Sequence, residues 1–123
     1  MYKNVINLVD FIKKQKRYDF NSFPKGINDK PGVYLLIKKS NNRIEWIGES
    51  NRLGQRIRQH FTQSSGDTLR SRIDTNSDFM KENFEFIYIF CKKEDTKIYE
   101  KILMLVFRPF YQKPVDSDFT YLN

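Results

Sequence analysis

The sequence predicts an α+β domain in which a small, mainly antiparallel three-stranded sheet is flanked by helices. Two observations favour this fold class. Two runs of β-branched and large apolar residues are joined by a five-residue polar turn, and a third, almost wholly apolar run lies downstream. Apolar residues at helical spacing precede, separate and follow these runs. The predicted order of elements is therefore α-β-β-α-(α)-β-α, the bracketed helix being short or broken.

Length and composition predict a single domain over residues 1–123. The chain has 123 residues, of which 39% are hydrophobic, enough for one modest core. Its one cysteine, Cys91, excludes an intrachain disulfide, suits a reducing compartment and is interpreted as a small buried hydrophobe. No apolar run approaches the ~20 residues that a membrane helix requires, and no secretory signal is recognisable at the N-terminus. A soluble cytoplasmic protein without membrane attachment is expected.

Residues 4–18 are predicted to form an amphipathic helix. Four apolar residues lie at helical spacing, and a basic run over residues 13–17 follows them: Val5, Leu8, Val9 and Ile12. Cations at a helix C-terminus interact favourably with the helix dipole, and this explanation of the basic run is preferred to the alternative of a DNA contact. Residues 19–30 are predicted to be a connecting loop that Phe20 and Phe23 attach to the core.

Residues 31–61 begin with a predicted β-hairpin. The strands are Val33–Ile37 and Arg43–Ile47, and the polar residues 38–42 form the turn between them, where Asn-Asn tolerates a left-handed backbone. Gly48 is expected to end the second strand.

A helix is predicted to follow the hairpin directly. The helical period begins at Ser50, with Ser50 or Asn51 as the candidate cap. Arg56 and His60 are four residues apart on this helix, so they project from one side, one turn from each other.

The segment after this helix is predicted to end in the third strand. Residues 69–73 and 78–84 are interpreted as two short helices or one broken helix. Residues 84–91 are nearly all apolar and aromatic, which favours a central strand that is buried on both faces.

A final helix is predicted over residues 96–107, with Asp95 as its cap and Arg108-Pro109 as its end. Glu100 lies beside the apolar stripe that is expected to face the core, which consists of Ile98, Ile102, Leu105 and Val106. Residues 112–123 are predicted to be irregular, with three apolar residues docking on the domain: Phe119, Tyr121 and Leu122.

The spacing of these motifs resembles that of the GIY-YIG nuclease family. Gly32-Val33-Tyr34 is followed after eleven residues by Trp46-Ile47-Gly48, and the next helix carries Arg56 and His60. Downstream, Glu100 precedes Pro109 by nine residues and Gln112 follows, which is similar to the closing segment of that family. The resemblance covers about residues 31–112, most of the chain, and implies a GIY-YIG-like fold.

Three positions depart from the family pattern. Trp46 stands where the second tripeptide usually carries tyrosine, and an indole donates a hydrogen bond but does not exchange a proton at neutral pH. Gln112 stands where an asparagine is expected, so the same amide is carried on a longer stem. Glu49 occupies a position that is lysine in the excision-repair nucleases of this family, so that positive phosphate contact is missing.

The resemblance implies a metal-dependent DNA endonuclease with four residues in catalytic roles. Glu100 is the expected ligand for Mg²⁺ or Mn²⁺, and Arg56 is expected to hold the phosphate through its planar guanidinium. Tyr34 is the expected general base, provided that the metal and Arg56 lower its pKa from ~10. His60 is expected to contact the phosphate or to assist proton transfer. The supporting residues are expected to be Gly32, Trp46, Gly48 and Gln112.

Each catalytic candidate also has an ordinary structural interpretation. Tyr34 is consistent with a packed strand tyrosine, and Arg56 with a solvent-facing charge on an amphipathic helix. His60 is consistent with a satisfied structural histidine, and Glu100 with an exposed helical glutamate near two lysines.

The basic balance of the chain favours an anionic partner. The net charge is +7, and the resemblance implies DNA, including branched or nicked forms. The arginines expected to contact the backbone are Arg52, Arg58, Arg70 and Arg72. Two other functions remain open at this stage: a catalytically weak nucleic-acid-binding module that keeps the nuclease fold, and a protein-interaction domain in a repair or mobile-element complex.

Overall fold

The computed structural model describes residues 5–62, 81–107, 109 and 120–122, with side chains from residue 8 onward. Within these ranges, three helices and four strands follow one another along the chain. The helices are α1 (Val5–Lys14), α2 (Leu53–Thr62) and α3 (Thr96–Val106). The strands are β1 (Tyr18–Asp19), β2 (Gly32–Lys38), β3 (Ile44–Ser50) and β4 (Phe84–Phe90). The α+β class and the order of the predicted elements are thereby confirmed for the described part of the chain.

The strands form one antiparallel sheet in the order β1-β4-β2-β3. The predicted sheet of three strands is thus present and gains a short fourth strand, β1, at its edge. Tyr18 was expected at the end of a helix, but its ring packs on Phe86 of β4 at a centroid distance of 5.9 Å. The neighbouring Arg17 Nη1 lies 2.9 Å from Glu85 Oε1. These tertiary contacts explain why α1 ends at Lys14 and the chain becomes extended.

The two faces of the sheet carry separate cores because β2 alternates its side chains between them. Val33, Leu35 and Ile37 pack with α1 and α3. Tyr34 and Leu36 lie on the opposite face, where they pack with α2 and with aromatic residues of the loop after β1. The expected attachment of this loop by Phe20 and Phe23 is confirmed, since both rings pack on Phe86, at centroid distances of 5.5 and 5.0 Å.

The apolar stripe predicted for the last helix is wrong in two of its four positions. Ile98 is 57% exposed and Leu105 is 74% exposed, whereas Leu103 and Phe107 are buried against the sheet. Apolar residues are present on nearly every side of this helix, so their spacing alone does not determine which side faces the core. Glu100 is partly buried, on the flank of the helix.

The boundary between β3 and α2 also differs from the prediction. Strand β3 continues through Gly48 to Ser50 because Ser50 pairs with Gly32 at the start of β2. Helix α2 therefore begins at Leu53, and Ser50 Oγ accepts a hydrogen bond from the backbone N–H of Arg52 at 2.9 Å. The hairpin turn agrees with the prediction, since Asn42 adopts a left-handed backbone with φ of 62°.

The described residues near the C-terminus dock as expected. Tyr121 forms an isolated bridge with Arg43, and Leu122 is buried. The carbonyl oxygen of Leu122 accepts a hydrogen bond from Arg17 at 2.8 Å. Of the helices predicted over residues 69–73 and 78–84, the described part is a 3₁₀ turn at Lys81–Asn83, and Phe84 already begins β4. The rest of these helices and the docking of Phe119 lie outside the described residues. Among the helices that are described, none has the length and apolar character to cross a membrane.

Candidate active site

Tyr34 lies on β2, one of the two central strands of the sheet, and its side chain is in close contact with the backbone of β3. In the register of the sheet it is opposite Gly48 on β3 and Tyr88 on β4. A Cβ atom at Gly48 would collide with the hydroxyl and ring of Tyr34, so only glycine fits there. Gly32 has a similar role, because its Cβ would meet the backbone carbonyl of Ile89 and the side chain of Leu53. The two motif glycines thus fix the position of Tyr34 and of the helix above it.

Tyr34 and His60 form a buried hydrogen-bonded pair. The phenol oxygen lies 2.6 Å from His60 Nε2, and the two side chains are 1% and 0% exposed. The indole of Trp46 packs against the imidazole at a centroid distance of 5.1 Å. Helix α2 therefore places His60 against the strand tyrosine, and Trp46 helps to hold the imidazole in that orientation.

The surroundings of this pair shift both pKa values. Burial raises the pKa of Tyr34 above its ordinary value of 10.0, while Arg56, which hydrogen-bonds the phenol, acts in the opposite direction. The sequence led us to expect a lowered pKa for Tyr34; Arg56 does act as expected, but burial outweighs it in the protein without metal. Burial and the charge of Arg56 lower the pKa of His60 to about 3, so its imidazole is neutral at pH 7.

Arg56 connects the buried pair to an open cleft. Its guanidinium interacts with Tyr34 and also lines a cleft of about 840 Å³ between α2 and the start of α3. Three further cations line the same cleft: Arg52, Lys93 and Lys97. Two carboxylates, Glu49 and Glu94, lie among them. The described residues that line this cleft are all polar or charged, which suits a phosphate backbone better than an apolar ligand.

Glu100 acts electrostatically on the same phenol from α3. It is partly buried, and its negative charge raises the pKa of Tyr34, as does the charge of Glu49. The fold thus brings Arg56, His60 and Glu100 within interaction range of Tyr34, although they come from α2 and α3 and the tyrosine from β2. Gln112 lies outside the described residues.

The proposed DNA-contacting arginines are distributed over different surfaces. Arg52 lines the cleft with Arg56. Arg58 lies on another side of α2, where it hydrogen-bonds Asn28 and stacks over the ring of Phe23 at 3.9 Å from the ring centroid. Arg70 and Arg72 lie outside the described residues. Of the arginines that can be compared, Arg52 is thus the one placed beside the candidate catalytic group.

Sequence reasoning did not identify Lys93 and Lys97 as residues of the site. Lys93 belongs to a short 3₁₀ turn before α3, and Lys97 lies in the first turn of that helix. Both line the same cleft as Arg56, although they are distant from it in sequence. Their spacing of four residues was the only signal available, and it resembles that of any solvated helix start. These two lysines supply positive charge to the cleft, whereas Glu49 supplies negative charge to it.

Because His60 is buried, we expect the free energy of unfolding to decrease at acid pH. Its folded pKa lies below the unfolded value of 6.5, so the stability it contributes is present above pH 6.5 and is lost as the pH falls towards 3. His60 is the one histidine of the chain. We expect the wild-type free energy of unfolding to drop by about 2 kcal/mol between pH 7 and pH 5, from the 1.36 kcal/mol per pKa unit.

Urea titrations at the two pH values measure this drop, and His60→Gln is the control. The glutamine variant is expected to be less stable at pH 7 and to lose much less stability on acidification. An equal loss in both proteins would show that His60 does not titrate as its burial requires.

The comparisons with known proteins agree with this geometry. Residues 30–113 match the family described as the GIY-YIG catalytic domain. The chain is 32% identical over 106 residues to UvrABC system protein C of Clostridium tetani, and 31% identical over 105 residues to that of Clostridium kluyveri. Each match covers 85% of this chain and 16% of the relative, so the chain spans a small part of these proteins. This match covers most of the chain and includes the two motif glycines, Tyr34 and Arg56, so the chain belongs to the GIY-YIG catalytic domain family.

Proposed function

We propose that this domain is a metal-dependent DNA endonuclease that hydrolyses one phosphodiester bond per active site. The observation that carries the proposal is the convergence of His60, Arg56 and Glu100 on the buried phenol of Tyr34, with Arg56 also lining a cation-rich cleft. Family membership supports the reaction class, and the basic net charge of +7 supports an anionic polymer as substrate.

The residues that are present fit a hard divalent cation. Within the described ranges, no group of three or more His, Cys, Asp or Glu side chains could hold a metal, which argues against a zinc-type site there. A single carboxylate such as Glu100 fits Mg²⁺ or Mn²⁺, which keep several of their waters. When bound to Glu100, such an ion supplies positive charge for the phosphate and its leaving oxygen.

Arg56 is proposed to bind the scissile phosphate. Its guanidinium is positioned between the cleft and the phenol of Tyr34, and its planar fork matches two phosphate oxygens. Burial is the larger cause of the low pKa of His60 and would persist, but a bound phosphate would offset the smaller cause, the charge of Arg56, so the pKa of His60 would rise. Substrate binding would thereby make His60 a better proton acceptor.

Tyr34 is proposed to accept the proton of the attacking water while His60 accepts the proton of Tyr34. The raised pKa of Tyr34 means that the phenol is protonated at neutral pH in the protein without metal, so its own proton must leave. Neutral His60 Nε2, 2.6 Å away, is the group in contact with it. Because His60 is fully buried, this role fits it better than direct phosphate contact. Trp46 is proposed to orient the imidazole.

Incubation with supercoiled plasmid tests the proposal. We expect conversion to the nicked circle in Mg²⁺ and none in EDTA, because one carboxylate implies one metal and one strand cut at a time. A plasmid that stays supercoiled in both Mg²⁺ and Mn²⁺ would contradict the proposal.

DNA binding is expected to depend steeply on salt, because each neutralised phosphate releases condensed counterions. If the cations of the cleft neutralise three or four phosphates, the affinity should fall by at least about tenfold between ~50 and ~200 mM salt. Fluorescence anisotropy with a labelled duplex measures this. Lys93→Gln should reduce the logarithmic salt slope by about one. An affinity that is flat with salt would favour the protein-interaction function.

One observation favours a second candidate function, a nucleic-acid-binding module with little catalysis. Tyr34 is 1% exposed and does not line the cleft, so an attacking water reaches it only after the site adjusts. Together with Trp46 in place of tyrosine, this is what a scaffold that binds without cutting would show. The plasmid experiment separates the two functions, since both predict salt-dependent binding.

A further inference from the structure

A row of aromatic rings runs along the outer part of β4 on the same sheet face as Tyr34. Tyr18 and Tyr88 have ring centroids 5.5 Å apart, and Tyr88 and Phe90 have centroids 5.2 Å apart. The first two rings lean on Phe86 of the core. Phe90 continues the row beyond the core and is 51% exposed, although it is a large apolar side chain at a strand end. We call Tyr18, Tyr88 and Phe90 the aromatic row.

The aromatic row ends close to the cation-lined cleft. Gly32 pairs with Phe90 on one side and with Ser50, a residue of the cleft, on the other. Phe90 and Ser50 are therefore two strand spacings apart, roughly 10 Å across the strands of the sheet. Lys93, which also lines the cleft, follows Phe90 by three residues in the chain. A strand that lies in the cleft can thus place a neighbouring nucleotide over Phe90.

Positive charge flanks the row at both ends. The ammonium group of Lys16 lies 5.0 Å from the ring centroid of Tyr18, and the exposed Lys92 lies two residues after Phe90. Exposed aromatic faces combined with cations that follow the backbone are the features by which proteins bind single-stranded nucleic acid. In a perfect duplex the base faces are already stacked on one another, so only an unpaired base offers a face to these rings.

We propose that the aromatic row is a stacking platform on which an unpaired base beside the cleft stacks against its exposed ring, Phe90, so that the preferred substrate is DNA with a single-stranded segment next to the cut. The proposal deepens the proposed function by naming its substrate class and rests on that function only for the cut itself. The platform binds bases through their faces, which predicts little dependence on sequence.

Equilibrium binding in EDTA tests the platform without requiring cleavage. The probe is a fluorescein-labelled, mixed-sequence DNA strand of roughly 12 nucleotides, within the usual range of single-strand site sizes. The same labelled strand annealed to its complement is the duplex probe. We expect Phe90→Ala to weaken single-strand binding by at least about fivefold, the low end for loss of one stacked base, and to change duplex binding less than twofold. The logarithmic salt slope should stay as in wild type, since no phosphate contact is removed.

Two further variants make the result specific to stacking. Leu105→Ala removes an apolar side chain that is more exposed than Phe90, at 74%, from α3 and should bind both probes as wild type does. Phe90→Trp should retain single-strand affinity, and its added fluorescence should be quenched by the strand. Circular dichroism confirms that each variant is folded.

The platform would be overturned if Phe90→Ala binds the single strand as wild type does, or if it weakens single-strand and duplex binding equally. Neither result depends on whether the protein cleaves DNA. If the protein does not nick the plasmid but Phe90→Ala loses single-strand binding selectively, the nuclease is refuted and the platform is kept. If the protein nicks the plasmid but Phe90→Ala binds the single strand as wild type does, the platform is refuted and the nuclease is kept.

Discussion

Glu100→Gln is expected to abolish Mg²⁺-dependent cleavage, with a loss of roughly a thousandfold in the single-turnover rate, at the upper end for removal of one group that stabilises transition-state charge. Glutamine keeps the shape of the side chain and removes the charge that would bind the metal. The fold should be little affected, because Glu100 is partly buried on a helix flank and belongs to neither core.

The sign of this effect distinguishes metal binding from a simple charge effect. In the protein without metal, the negative charge of Glu100 raises the pKa of Tyr34. If Glu100 acted only in that way, its removal would make Tyr34 easier to deprotonate, and cleavage would become faster. A large loss of cleavage rate therefore requires that Glu100 make a favourable contribution to the reaction, and binding a metal ion is such a contribution.

Glu94→Gln is the matched control, since Glu94 is an exposed carboxylate that lines the same cleft from the turn before α3. We expect its rate to stay within about threefold of wild type, as for a surface charge. Stabilisation of the protein by Mg²⁺, measured as a rise in melting temperature, should persist in Glu94→Gln and disappear in Glu100→Gln. Wild-type cleavage by Glu100→Gln would remove this residue from the site.

Tyr34→Phe is expected to lower the single-turnover rate by at least about a hundredfold, the lower end for loss of general-base catalysis. The ring still fits against Gly48, so the sheet should be preserved. His60 Nε2 loses its partner at 2.6 Å, which should cost about 1 kcal/mol of folding free energy. Urea unfolding measures that cost, and nicking under single-turnover conditions measures the rate.

Tyr99→Phe is the control for loss of a tyrosine hydroxyl elsewhere in the molecule. Tyr99 packs against the core on the other face of the sheet, so this variant should cleave at the wild-type rate. If Tyr34→Phe cleaves as fast as Tyr99→Phe, the proton is accepted by another group and the proposed relay to His60 is wrong.

The part of the site that was predictable from sequence is the part with local motifs. Runs of β-branched and large apolar residues predicted β2 and β3, and the motif spacing identified Gly32 and Gly48 as supporting residues. The spacing of Arg56 and His60 predicted that both side chains project from the same side of one helix. Structure adds the reason: Gly48 is opposite Tyr34, and His60 reaches the same phenol.

The features that sequence reasoning missed depend on contacts between distant segments. Strand β1 has two residues and exists because Tyr18 packs on Phe86 and Arg17 pairs with Glu85, which no local pattern encodes. The predicted buried side of α3 was wrong at Ile98 and Leu105, because apolar residues occur on nearly every side of that helix. Lys93 and Lys97 belong to the cleft through the packing of α3 against the sheet, and the burial that raises the pKa of Tyr34 is likewise a tertiary effect.

The central claim, that this chain is a working nuclease, is tested most directly by the single-turnover nicking rates of wild type and Trp46→Tyr measured side by side in Mg²⁺. Trp46 is 2% exposed and packs against His60, so a tyrosine there should replace its packing without supplying a required proton acceptor. We predict that wild type nicks the plasmid and that Trp46→Tyr changes the rate by less than about tenfold, or roughly 1.4 kcal/mol in the barrier. An inert wild type that Trp46→Tyr makes active would contradict the account, because it would show a domain that has kept the scaffold and lost cleavage.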